Sequence, residues 1–224
     1  SKRGDILTEK SKKIYKVTRL KENEKEILNE AYKDYRKLFF YPFTGDMTDE
    51  IFIFGDFWLV RGEENRVFCV FPPMIPSFKN SLAYWEIHDL IGDEFENRLV
   101  MGYVGGNMGV NSSSFAAILQ GAKLAGAKSK SNVVFYTPVS FGADFKTLFE
   151  NGFLLKGLRG LDNLVAHYIF YGEFSTEEKS YVEKYHAKIT DTKEISKLCE
   201  KGFVGFALRN GEILFGEENR CDEK

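Results

Sequence analysis

Residues 142–157, GADFKTLFENGFLLKG, are the part of the chain whose pattern is easiest to read. Phe145, Leu148 and Phe149 fall at i, i+3 and i+4, which predicts one face of a short helix over 142–151. Gly152 suits the left-handed residue that ends a helix, because it has no Cβ to clash there. FLLKGLRG (153–160) and NLVAHYIFYG (163–172) follow as two strands joined by a tight turn. Upstream, NVVFYTP (132–138) is a short continuous apolar run, the kind buried on both faces of a sheet. Before it, Ser112–Lys128 predicts a helix with Phe115, Ile118, Leu119 and Ala122 on one face. Its many Ala and Gly residues suit close approach to a sheet. RLVMGYVG (98–105) is the strand that leads into that helix.

Further out the signals thin. IYKVTRL (14–20) alternates weakly as a strand. Glu22–Phe40 carries a helical stripe that must stop near FFYPF, because Pro42 lacks an amide proton and restricts Tyr41. EIFIFGDFWLVRG (50–62) and RVFCVFPP (66–73) read as strands around the turn Glu63–Asn65. PSFKNSLAYWEIHDLIGDEFEN (76–97) is mixed and receives no assignment. After Glu173, STEE (175–178) and DTKE (191–194) resemble capping boxes, each opening a short helix. FVGFALRNGEILFG (203–216) reads as a hairpin, with Asn210–Gly211 where a type I′ turn prefers them.

The chain has 224 residues, 43% of them hydrophobic and 29% charged, which suits a globular protein of one large domain with a small addition. Net charge is -2, so there is no global electrostatic case for nucleic acid or an acidic membrane. The basic residues of the first segment, 1–13, read as a solvated terminus. Cys69, Cys199 and Cys221 show no metal-ligand spacing, so no metal is expected. An odd cysteine count without a secretory signal points to a reducing, cytoplasmic setting. No apolar run approaches the roughly 18 residues of a membrane span, and SKRGDILTEK lacks the apolar core of a signal peptide.

The element order over 14–172, together with AAILQGAKLAGAK, NVVFYTP, FKTLFENGFLLKG and LVAHYIFY, resembles the Gcn5-related N-acetyltransferase (GNAT) family. The resemblance implies an α/β (α+β) fold with a mixed, mostly antiparallel sheet flanked by helices. Residues 173–224 would form a small helix-helix-hairpin appendage. It further implies acyl-CoA, most simply acetyl-CoA, as co-substrate. The acceptor would be an amine on a small molecule or peptide. In the family two parallel strands splay, here expected after Val104 and Tyr136, and pantetheine lies between them. A backbone amide near Val104 or Gly105 would polarise the thioester. The cofactor phosphates would meet Gly106 and Asn111, Ser112, Ser113 and Ser114. VNSSSF (110–115) lacks the family's Arg or Gln and its glycines. Two readings of those serines therefore stand. They replace the glycines at a helix N-terminus, whose free amides and dipole favour anions, or Asn111 or Ser112 merely caps the helix. Phe149, or Leu148, occupies the place of a family Tyr that protonates the leaving thiolate.

Acyl transfer to an amine needs a proton acceptor, an oxyanion donor and an acid for the thiolate. Glu86 and His88 in YWEIHDL, with Asp89 beside them, are candidates for the first, against a plain polar loop. Tyr136, near the end of the inner strand, is a candidate acid, against simple packing with a satisfied hydroxyl. His167 reads as a strand residue and His186 as a solvated one. Phe40, Tyr41, Phe43 and Asp46 sit where the family binds its acceptor, and equally suit a lid over the first helix. Rossmann, Walker and GxSxG patterns are absent. The rival reading is a GNAT-like module that no longer transfers acyl groups and serves binding or assembly, with homodimerisation through the C-terminal hairpin.

Overall fold

The structure is a computed structural model that describes residues 16–24, 58–61, 67–79, 82–105, 112–160, 166–175, 177 and 179–219. Strand β1 (Lys16–Arg19) is followed by a 3-10 turn at Glu22–Glu24, where Glu24 accepts a hydrogen bond from the Lys21 amide at 3.0 Å. The helix expected as far as Phe40 otherwise lies outside the described residues. Strands β2 (Trp58–Arg61) and β3 (Val67–Phe71) come next. The unassigned stretch is helical: α1 (Pro76–Lys79), α2 (Leu82–Ile91) and a 3-10 segment, Gly92–Asn97. Then follow β4 (Leu99–Gly105), α3 (Ser112–Ser129), β5 (Val133–Pro138), α4 (Phe145–Glu150), β6 (Phe153–Arg159) and β7 (His167–Gly172). The chain continues with β8 (Tyr181–Lys188), α5 (Thr192–Glu200), β9 (Val204–Arg209) and β10 (Glu212–Glu218). Among the described residues no helix is long and apolar enough to cross a membrane.

All these strands join one 10-stranded sheet in the order β1-β2-β3-β4-β5-β7-β6-β9-β10-β8. Only β4 and β5 pair in parallel; the other described pairs are antiparallel. The fold is thus mixed α/β with a mostly antiparallel sheet.

Side chains alternate between the faces of the central strands, so apolar residues are needed on both. Leu99, Met101, Val133, Tyr168 and Phe170 face a core with Ile118 and Leu119 of α3, Phe145 and Leu148 of α4, and Ile195 and Leu198 of α5. Val100, Val134, Tyr136, Ile169 and Tyr171 face the second core, with Phe78, Tyr84, Ile87 and Phe95. Gly121 lets α3 lie against the sheet, since a Cβ there would meet Val60 Cγ1 at 2.6 Å. α4 and α5 are each capped by an aspartate: Asp144 accepts from the Thr147 amide and Asp191 from the Glu194 amide, both at 3.1 Å.

The C-terminal region departs from expectation. Among the described residues no helix stands between Ser175 and the next element, the strand β8. Ser175 Oγ does accept from the Glu177 amide at 3.2 Å, but as a local turn. That bond is available to turns as well as to helix starts, so the STEE pattern alone did not discriminate. The elements after Glu173 are therefore strand, helix and two strands. β9 and β10 turn through Asn210 and Gly211, at φ 52° and 76°. They extend the main sheet through a single register position, Leu155↔Gly205.

Candidate functional site

β4 and β5 pair only over Leu99↔Val133, Val100↔Val134 and Met101↔Phe135. Both strands run on, each held by its other neighbour. β4 stays paired with β3 as far as Gly105↔Val67, with an irregularity beside Tyr103↔Phe68. β5 stays paired with β7 as far as Pro138↔His167. Two parallel strands that keep their outer partners while losing each other leave a wedge between Gly102–Gly105 and Tyr136–Pro138. The parting comes after Met101 and Phe135, earlier than the expected Val104 and Tyr136. Val104 and Gly105 form the continuing strand edge, and α3 starts at Ser112. Ser112, Ser113 and Ser114 form its first turn, whose backbone amides have no partners within the helix. Gly106, Asn111, Phe40, Tyr41, Phe43 and Asp46 lie outside the described residues.

On the α2 face of the sheet, at the same end of β5, three polar side chains meet. Tyr136 and His167 are 9% and 2% exposed, with ring centroids 6.0 Å apart. Strand alternation puts His167 on the face of Ile169 and Tyr171, the side that α2 covers. Glu86 reaches down from α2, placing Oε2 3.8 Å from His167 Nδ1. At that length the contact is not a hydrogen bond, and it is an ion pair only when His167 is protonated. Glu86 Oε2 is buried and accepts no hydrogen bond among the described residues. Burial raises the Glu86 pKa, and the nearby Arg159 guanidinium pulls it partly back. Arg159 stands opposite His167 in the β6–β7 register. Phe78 packs against Tyr136 with centroids 6.1 Å apart.

A carboxylate beside an imidazole in a water-poor place is suited to taking up a proton, with one group orienting the other. His88 is not part of this group. Two residues along a helix rotate the direction by about 200°, so His88 leaves the opposite flank of α2. It stacks on Tyr84 with centroids 5.8 Å apart and lies 4.0 Å from exposed Asp93. Asp89 is exposed.

Phe149 stands elsewhere. Its ring lies 5.9 Å from Phe145 and 6.3 Å from Phe170. It also lines a cleft of about 950 Å³ beside Lys123 and Leu124. Lys123 lies about 16 Å along α3 from Ser112 at 1.5 Å per residue, so Phe149 is by the far half of that helix. Among the described residues no group of three or more His, Cys, Asp or Glu is arranged to hold a metal.

His167 is the member that the sequence reading did not select. Its signal was parity: it shares a strand face with Ile169 and Tyr171 in a run where apolar residues are expected. The partner that gives it meaning, Glu86, lies on a stretch that received no assignment. No family model, no curated protein and no solved structure matches the chain.

Proposed function

We propose that the chain is a GNAT-like N-acyltransferase that moves an acyl group, most simply acetyl, from coenzyme A to an amine. The observation that carries this reading is the wedge at the parallel β4–β5 pair, with a helix N-terminus following β4. Pantetheine would lie along the free edge of Gly102–Gly105, with a backbone amide near Val104 or Gly105 turned to the thioester oxygen. The first turn of α3 would hold the diphosphate. The acceptor nitrogen attacks the carbonyl carbon, the carbon–sulfur bond breaks, and the proton shed by nitrogen passes to the Glu86–His167 pair. Tyr136, buried at the same end of β5, supplies the proton that the departing thiolate takes.

The test has two parts. Acetyl-CoA or a longer acyl-CoA should raise the melting temperature of the full chain by mass action. Ser113→Glu should abolish the rise, because it opposes diphosphate with a negative charge. With an amine acceptor, Glu86→Gln and His167→Gln should each lower kcat about 10²-fold or more while leaving the acyl-CoA shift intact. The missing Arg or Gln and glycines at 110–115 favour the binding-module reading. Absence of any acyl-CoA shift would count against the acyltransferase reading.

A further inference from the structure

The sheet has a second weak point, where β6 meets β9 at Leu155↔Gly205. Next to it β6 bulges: Leu155 faces Phe170 and Gly157 faces Ile169, so Lys156 is the extra residue. A bulge leaves its extra residue out of the ladder and re-aims the side chain. Here the Lys156 ammonium lies 5.4 Å from the centroid of the Tyr171 ring. The Arg98 guanidinium lies 4.2 Å from the same centroid. Both cations line a cleft of about 270 Å³ whose apolar wall is Leu90, Ile91, Phe203 and Val204.

One carboxylate lines this cleft, Glu94, and it pairs with part of Arg98 while none is in ion-pair range of Lys156 among the described residues. Arg98 Nη2 donates to Glu94 at 2.6 Å, but the Glu94 side chain is 77% exposed. Arg98 Nε is buried and donates to nothing among the described residues. Glu173 and Glu218 act on Lys156 from beyond ion-pair distance. They are engaged instead by Lys179, at 3.0 and 3.4 Å. Burial lowers the Lys156 pKa, and Arg98 and Lys179 add repulsion in the same direction. The Cys199 thiol, at the same cleft, is held neutral by burial.

We propose that this cleft binds a small molecule with one oxyanion head, a carboxylate or a phosphate, and a short apolar body. The head sits between Arg98 Nε and Lys156 Nζ, and the body lies against Leu90, Ile91, Phe203 and Val204. The volume sets the size. It falls just below the roughly 300–1,000 Å³ of drug-sized sites, so the body is a short chain or a single ring. The site shares no residue with the Glu86–His167–Tyr136 group, and the proposal does not rest on acyl transfer.

The test is thermal denaturation of the full chain at constant ionic strength, with butyrate, phenyl phosphate and inorganic phosphate as probes and chloride as control. A probe with head and body should raise the melting temperature saturably, and more than inorganic phosphate does. A rise with butyrate assigns a carboxylate head; a rise with phenyl phosphate assigns a phosphate head. Lys156→Met should lose the rise. It should melt no lower than the wild type without ligand, because it removes a partly buried cation that has no carboxylate in ion-pair range. In the wild type, the same probe should slow reductive methylation of Lys156, read by peptide mass mapping, which needs no variant to fold. The proposal is overturned if no probe shifts the melting point, if Lys156→Met responds as the wild type does, or if methylation of Lys156 is indifferent to the probe.

Discussion

Glu86 is partly buried on the flank of α2, with His167 of β7 beside its carboxyl and the charge of Arg159 from β6 acting on it. Its raised pKa means that the folded state holds the proton more tightly than the unfolded chain does. That contribution is present below the ordinary carboxylate range and is lost as pH rises through the raised folded value. Glu86→Gln keeps the shape and removes the charge. In urea denaturation it should gain stability relative to wild type at about pH 8 and converge with it near pH 4, around the ordinary carboxylate value. A gap that widened in acid would refute this account. Cys199 gives a second test at this scale. Burial pushes its thiol up to about 12, so the reactive thiolate is scarce at neutral pH. Native protein should resist iodoacetamide at Cys199 at about pH 8 and accept it there once unfolded, read by peptide mapping. Glu86 and Tyr136 were legible as polar groups in suggestive places. His167 was not, because its role depends on a contact with a distant helix that local pattern could not place.

At the scale of elements, periodicity found what was long or regular. The stripe of α3 and the double-sided apolar run of β5 needed only a sequence window. α2 escaped because its inward face (buried Tyr84 and Ile87, partly buried Leu90) is flanked by Glu86 and by Trp85, which is 52% exposed. A partly buried acid and an exposed tryptophan blur the stripe that a helix is recognised by. β8 escaped for the opposite reason: almost all of it is exposed, so no alternation of burial marks its sequence as a strand. The close approach of α3 to the sheet yields a quantitative expectation. Gly121→Ala gains about 1 kcal/mol of helix propensity but sets a Cβ 2.6 Å from Val60 Cγ1, inside a fully buried side chain. Overpacking of that kind costs about 1–3 kcal/mol. The net change should be a loss of about 1 kcal/mol, read as a lower urea midpoint with an unchanged slope. A more stable variant would show that α3 can lift off the sheet at no cost.

For the whole molecule, hydrogen bonding and packing divide the chain differently. The ladder between β6 and β9 is a single register position, yet one core runs beneath it. Ala187, Ile195, Leu198, Ile213 and Phe215 belong to the same cluster as Phe145, Phe153 and Phe170. Unfolding of residues 181–218 should therefore coincide with that of the rest. Far-ultraviolet circular dichroism and tyrosine and tryptophan fluorescence should give one shared transition. A chain ending at Gly172 should be destabilised and prone to association, because Leu155, Leu158 and Phe153 lose their cover. Two separated transitions, or a truncated chain as stable as the full one, would show the C-terminal strands to be independent.

Sheet twist ties the two weak points together. Neighbouring strands rotate by about 20–25°, and open sheets of about ten strands tend to split or curl. A sheet of this width accumulates more rotation than an unbroken ladder holds comfortably. The ladder is shortest at two seams, β4–β5 and β6–β9. Each seam opens the space in which a ligand is proposed, one for a thioester arm and one for a small anion. Cavities of this kind are where a wide surface fails to close. Extra pairing at Leu155–Gly205 would tighten the sheet and, by the same geometry, squeeze out the room beside Lys156.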